Sequence, residues 1–227
     1  KQPRFPMLGL VVSGGHTQLM LFEDHLKFKI IGRSIDDAIG EAFDKTAKIL
    51  NLPYPGGVSV SQRAEVGNSA AYHLPKPKTE NPLDSSFSGL KTALLRTAQE
   101  AAGGDFTLPS FEIAAKLKSS QIDDLCASFE DTAISYIVEK LSLAVDMYKP
   151  KSIVIGGGVA SSQKLRRAIS QTLSLGIEYA PAELCTDNGA MIAAAGYWYH
   201  RSNPVINPND IRIEPNKRIF TAEGWVI

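Results

Sequence analysis

The sequence predicts an α/β fold, with a sheet core and a mainly helical insertion. Three observations predict it. The apolar run Met7–Val12 (MLGLVV) reads as a buried strand and ends in Ser13-Gly14-Gly15. The short strand Ser152–Ile155 (SIVI) runs directly into Gly156-Gly157-Gly158 and then a helical pattern. Between them lies the longest helical signal of the chain, Ile122–Tyr148. Strands alternating with helices at both ends of a chain argue for layered α/β packing.

The elements follow in order. Gln18–Phe22 and Leu26–Ile31 flank Glu23-Asp24-His25 as strand, turn and strand. Ile35–Leu52 has apolar residues at helical spacing and ends at the turn Pro53-Tyr54-Pro55-Gly56-Gly57. A polar, proline-bearing stretch, Leu74–Ser86, precedes Phe87–Ala102, and Gly103-Gly104-Asp105 breaks the chain again. In Ile122–Tyr148 an apolar stripe runs through Leu125, Cys126, Phe129, Ala133, Ile137, Leu141 and Ala144, the pattern of core packing. Lys149-Pro150-Lys151 ends that helix. Ser161–Leu175 reads as helix, Ile177–Ala180 as strand, and Asn188–His200 as a final alanine-rich helix. The expected division is a sheet core over about 5–33 and 150–202, with helices over about 34–149.

Composition narrows the class. The chain has 227 residues, 44% hydrophobic and 21% charged, with a net charge of zero. A disordered chain would be less apolar and more charged. Zero net charge removes bulk electrostatics as a reason to bind nucleic acid, although local basic patches remain open. No run of about 18 apolar residues is present, so no membrane span is expected. Cys126 and Cys185 lack metal-ligand spacing and read as buried cytosolic thiols. The chain opens at Lys1, which leads us to expect a missing upstream segment.

Three motifs carry chemistry. Val11-Val12-Ser13-Gly14-Gly15-His16-Thr17 follows a strand, and glycines there let backbone N–H groups approach a phosphate. A ligand-free hairpin turn needs glycine for the same reason. Gly156-Gly157-Gly158-Val159-Ala160 lies between strand and helix, the geometry that sets a nucleotide against backbone and a helix N-terminus. It lacks the spacing of a dinucleotide fingerprint and the lysine of a P-loop. Asp187, ahead of the last helix, is either an N-cap or a carboxylate for metal or substrate. Asp36, Asp37, Glu41 and Asp44 cluster at a helix start and complement its dipole. Asp44 lies on roughly the face of Asp37 and could serve a ribose or a substrate amine. His16 stands in the first glycine loop. No two histidines share helical metal spacing.

Together the strings VVSGGHTQL, SIDDAIGEAFDKTAKIL, YPGG, FSGLKTA, GGGVA and CTDNGAMIA, in this order, resemble the tRNA threonylcarbamoyladenosine transferases of the bacterial TsaD type. That resemblance runs from about Phe5 to the last helix. It implies the actin–hexokinase–Hsp70 (ASKHA) superfamily fold and a cytoplasmic enzyme. The implied reaction moves a threonylcarbamoyl group from threonylcarbamoyl-AMP to the exocyclic amine of adenosine 37, in tRNAs reading codons that begin with adenine. The implied ligands are an ATP- or AMP-type nucleotide or threonylcarbamoyl-AMP, and one divalent metal, iron or zinc, per subunit. By the same resemblance, Val11, Val12, Ser13, Gly14, Gly15 and His16 hold the phosphate and acyl region, and Asp44 and Gly57 line the adenylate site. Gly157, Gly158 and Ser162 approach adenine and ribose, Ser61 faces the adenylate, and Asp187 is a metal ligand. A metal there would polarise the acyl carbonyl and orient the donor. Implied partners are tRNA, a TsaB-like paralogue, a TsaE-like ATPase and a threonylcarbamoyl-AMP synthase that supplies the donor.

Three departures stand out. The family's upstream lobe, with its H-x-x-x-H metal pair, is absent from these 227 residues, so the chain resembles the C-terminal portion and is expected to be inactive alone. Ser162 stands where asparagine is common, and Ser61 where aspartate is common. Competing readings are a nucleotide-binding scaffold or partner subunit, and a small-molecule kinase or carbamoyltransferase of the same fold. Basic residues near FSGLKTA, namely Lys76, Lys78, Lys91 and Arg96, are candidates for tRNA contact.

Overall fold

The structure, a computed structural model, describes residues 2–202 together with 207, 220–221 and 224–225. Five strands form one mixed sheet: β1 (Met7–Val12), β2 (Thr17–Phe22), β3 (Phe28–Arg33), β4 (Ser152–Gly156) and β5 (Ile177–Tyr179), in the order β3-β2-β1-β4-β5. β1 and β2 form an antiparallel hairpin closed by the pair Val12↔Thr17. β3 is antiparallel to β2, while β4 is parallel to β1 and β5 parallel to β4. Strands β1, β3, β4 and β5 therefore all end at one edge of the sheet. Val11 lies opposite Gly156 there, so both glycine loops leave from neighbouring strand ends. That edge is where ligands gather in α/β sheets.

Five helices fill the chain between β3 and β4: α1 (Ile39–Ile49), α2 (Gly56–Ala64), α3 (Ser88–Ala101), α4 (Ser110–Lys116) and α5 (Ser119–Tyr148). After β4 come a short 3-10 turn (Gly158–Ser161), α6 (Gln163–Thr172), β5 and α7 (Gly189–Ser202). The strands β6 (Phe220–Thr221) and β7 (Gly224–Trp225) pair separately. One apolar cluster unites sheet and helices. The expected stripe of α5 supplies its centre, with Leu125, Phe129, Ala133, Leu141 and Ala144 all at 0% exposure. The Phe129 ring meets Phe43 edge-on at 5.1 Å. Truncating such a buried aromatic costs about 3–5 kcal/mol, from lost transfer energy plus the cavity left behind.

The structure corrects three expectations. Gly56 and Gly57, read as the close of a turn, instead start helix α2. Gly56 is the reason: a Cβ there would lie 2.5 Å from the Asp44 Cα, so only glycine lets α2 start against α1. The helix expected from Ile35 begins at Ile39. Ile35 donates its N–H to the Ser85 carbonyl at 2.9 Å, which holds this segment extended. Asp36 and Asp37 thus precede α1 rather than occupying its first turn. Asp36 serves a different helix, with Oδ1 accepting the N–H groups of Phe87 (2.8 Å) and Ser88 (3.3 Å) at the start of α3. Helix α4 carries no signal that the sequence reading used.

Candidate functional site

The first glycine loop is both a hairpin turn and one wall of a cleft. Ser13 organises it. Its Oγ accepts the N–H groups of Gly15 (3.3 Å) and His16 (3.0 Å), and its own N–H donates to the His16 carbonyl at 2.8 Å. Two of the amides expected to face a ligand are thereby satisfied inside the loop. Thr17 is buried, which keeps its hydroxyl from a ligand, and its oxygen accepts the Ile39 N–H at 2.9 Å, so Thr17 fixes the start of α1. Gly40 donates to the Ser13 carbonyl at 3.2 Å, and a Cβ on Gly40 would lie 2.6 Å from that oxygen. The loop is clamped onto the N-terminus of α1. Gly14, Gly15 and His16 remain exposed.

The second loop closes on the first. Gly157 has φ +98° and ψ 162°, a region that glycine alone adopts readily. A Cβ on Gly157 would lie 2.3 Å from the Val12 carbonyl oxygen. Gly157 is therefore demanded by packing against β1 as well as by any ligand. Gly158 is different: it is exposed, and a Cβ there would meet nothing within 4 Å. Gly14, Gly15 and Gly57 are equally open. At these four positions packing does not demand glycine, and a ligand could approach the backbone closely. Ser162 caps α6, its oxygen accepting the Leu165 N–H at 3.3 Å, and its hydroxyl proton remains free to donate.

Helices α1 and α2 carry the other candidate residues. Asp44 Oδ1 accepts the Gly56 N–H at 2.8 Å, which ties Asp44 to the turn bearing Gly57. A carboxylate keeps acceptor capacity beyond that bond. One turn after Gly57, Ser61 donates its hydroxyl to Glu130 Oε1 at 2.5 Å. Glu130 stands on α5, is only 4% exposed, and has its other oxygen 3.6 Å from the Lys164 ammonium on α6. The sequence reading missed Glu130. Its signal was the acidic pair Glu130-Asp131 directly after Phe129 in the apolar stripe of the long helix.

Asp187 stands apart. It is exposed, and Asn188 rather than Asp187 caps α7, its Oδ1 accepting the Met191 N–H at 3.0 Å. Among the described residues no three His, Cys, Asp or Glu side chains come together as a metal set. A lone exposed carboxylate does not fit a catalytic divalent metal, which usually takes three protein ligands. No chemistry is assigned to a metal on this chain.

The candidate tRNA cations are largely engaged. Lys91 lies 3.7 Å from Asp37, Lys76 pairs with Glu139, and Arg96 lies over the Phe106 ring at 5.6 Å. Burial opposes the charge on Asp37, but the hydrogen bond and charge of Lys45, with Lys91 behind it, outweigh burial and hold its carboxyl below the ordinary value. Beside His16 a cleft of about 370 Å³ opens between Gly15, Arg33, Ile35 and Asp36.

The profile described as TsaD, tRNA N6-adenosine threonylcarbamoyltransferase, matches residues 1–194. The chain belongs to this family. It is 42% identical over 203 residues to the tRNA N6-adenosine threonylcarbamoyltransferase of Symbiobacterium thermophilum, covering 88% of this chain and 56% of that protein. The enzyme of the same description from Burkholderia ambifaria is 45% identical over 202 residues, covering 86% and 55%. The chain thus spans a little over half the length of these relatives. Among solved structures, the activator of 2-hydroxyisocaproyl-CoA dehydratase from Clostridium difficile with bound ADPNP aligns at a TM-score of 0.47 and 14% identity, covering 89% of this chain and 65% of that one. Likeness at that level carries no argument about function. Among the described residues no helix is long and apolar enough to cross a membrane.

Proposed function

We propose that residues 1–227 form the C-terminal, nucleotide-binding portion of a cytoplasmic tRNA N6-adenosine threonylcarbamoyltransferase with the ASKHA architecture. Its donor is threonylcarbamoyl-AMP. The adenosine 37 amine attacks the carbamoyl carbon, the bond to the phosphate oxygen breaks, and AMP leaves while the amine loses a proton. The convergence of the two glycine loops carries this reading, with Gly157 packed on the Val12 carbonyl and open glycines at positions 14, 15, 57 and 158. The free amides of the loops would face the phosphate and stabilise charge on departing AMP. Asp44 would accept from the ribose, and His16 borders the acyl region. Asp187 remains a proposed ligand for iron or zinc in the whole protein, beside further ligands from outside the described residues. A TsaB-like paralogue, a TsaE-like ATPase and the donor synthase complete the proposed set of partners.

For this portion alone a second reading is a nucleotide-binding scaffold, favoured by Asp187 standing exposed while Asn188 caps α7. Titration calorimetry of AMP into the chain tests the site, and threonylcarbamoyl transfer to tRNA by the full-length protein tests the reaction. We expect binding by the chain and transfer only by the full-length protein. Absence of AMP binding to both would overturn the assignment.

A further inference from the structure

A buried carboxylate needs a reason, because removing an ion from water is costly unless it is paired. Glu130 is such a group, 4% exposed on the helix that carries the buried Leu125, Phe129 and Ala133. Its two oxygens face two different elements. Oε1 takes the hydroxyl proton of Ser61 on α2 at 2.5 Å, and Oε2 lies 3.6 Å from Lys164 on α6. Lys164 also lies 3.3 Å from Asp131, so its ammonium is held between two carboxylates. Glu130 thus ties the helix bearing Gly57 and Ser61 to the helix capped by Ser162.

The direction of the Ser61 bond has a chemical consequence. A carboxylate only accepts hydrogen bonds, so Ser61 must be the donor toward it. A hydroxyl has one proton, and Ser61 has given it to Glu130. What Ser61 keeps for any other partner are lone pairs, made more basic by the charged group that takes its proton. Ser162 is set the opposite way, since its oxygen takes the Leu165 N–H and its proton stays free.

We infer that Glu130 is a positioning residue that fixes Ser61 as an acceptor-only contact for a hydrogen-bond donor of the bound nucleoside. That donor is a ribose hydroxyl or the amine of the base. Glu130 acts through Ser61 and does not touch the ligand. This inference rests on the nucleotide reading above.

The test is calorimetric titration of the 227-residue chain with AMP, 2′,3′-dideoxy-AMP and IMP. The first analogue lacks the ribose donors and the second lacks the base amine. We expect the wild-type chain to bind one analogue about tenfold more weakly than AMP, the loss of one charge-assisted hydrogen bond. The analogue that loses affinity names the donor. In Ser61→Ala and Glu130→Gln chains the discrimination should vanish, because AMP weakens to the level of that analogue. A purely structural role for Glu130 would weaken all three ligands together and leave their ratios unchanged. Equal ratios in wild type and both variants overturn the inference while leaving nucleotide binding intact. If Glu130→Gln does not fold, Ser61→Ala decides by the same ratio. Failure of wild-type chain to bind AMP at all overturns the nucleotide reading and this inference with it.

Discussion

Gly157 and Gly158 are adjacent, yet their replacement by alanine should act through different physics. Alanine at Gly157 inherits φ +98° and ψ 162°, a conformation costing about 1–3 kcal/mol for a residue with a side chain. Its Cβ would also lie 2.3 Å from the Val12 carbonyl oxygen, and Val12 is fully buried in β1. The backbone must shift, and overpacking of this kind adds about 1–3 kcal/mol. Gly157→Ala should therefore lose about 2–6 kcal/mol. In a chain of this size about 1 kcal/mol moves Tm by 2–4 °C, so a drop of about 4–24 °C is expected. Gly158→Ala has no neighbour within 4 Å and no positive φ, so its Tm should stay within about 2 °C of wild type. Its AMP affinity should nevertheless fall, because the methyl occupies the ligand's approach. Thermal denaturation and calorimetric titration on both variants check this. A wild-type Tm in Gly157→Ala would refute the packing argument. Undiminished AMP affinity in Gly158→Ala would refute the claim that its glycine serves a ligand.

Other outcomes follow from particular groups. Cys126 is fully buried, and desolvation pushes its thiol up to about 12, so in a Cys185→Ser background it should resist a thiol reagent at pH 8 until the chain unfolds; rapid native labelling would contradict this. Asn188→Ala should cost about 1 kcal/mol as a lost cap, while Asp187→Ala should leave Tm almost unchanged, and the reverse order in melting curves would restore Asp187 as the cap. Asp37 has a lowered folded pKa, so its contribution to stability is complete at pH 7, starts to fall near the ordinary value of 3.8, and is lost as pH drops through the folded value. Asp37→Asn should accordingly lower Tm at neutral pH, with the gap to wild type narrowing below pH 4; a gap that widens on acidification would refute the sign.

Much of the fold was legible because it is written locally. Met7–Val12 is a strand with the bounds expected, and the stripe of α5 is the centre of the core. Apolar runs and helical periodicity depend only on neighbours in sequence, and so survive without knowledge of the fold. Helix α2 was not legible. Two glycines after a proline read as a turn, and only the approach of α1 within 2.5 Å of a Gly56 Cβ explains glycine in a helix start. The beginning of α1 was misplaced for a similar reason, since Ser85, some fifty residues on, holds Ile35 extended.

The sequence by itself determined the order of elements, the two glycine loops, and the six strings whose resemblance points to one family. Tertiary structure alone decided what each polar side chain does. Asp36 looked like a dipole partner of its own helix and instead caps α3; Thr17 closes the first glycine loop and also anchors α1. Glu130, which the sequence reading passed over, lies buried between Ser61 and Lys164. The physical reason is range. Hydrophobic burial is non-directional and follows a periodic pattern that the sequence displays. A hydrogen bond needs its partner within about 3 Å, and Ser61 and Glu130 are 69 residues apart, brought together only by the packing of their helices.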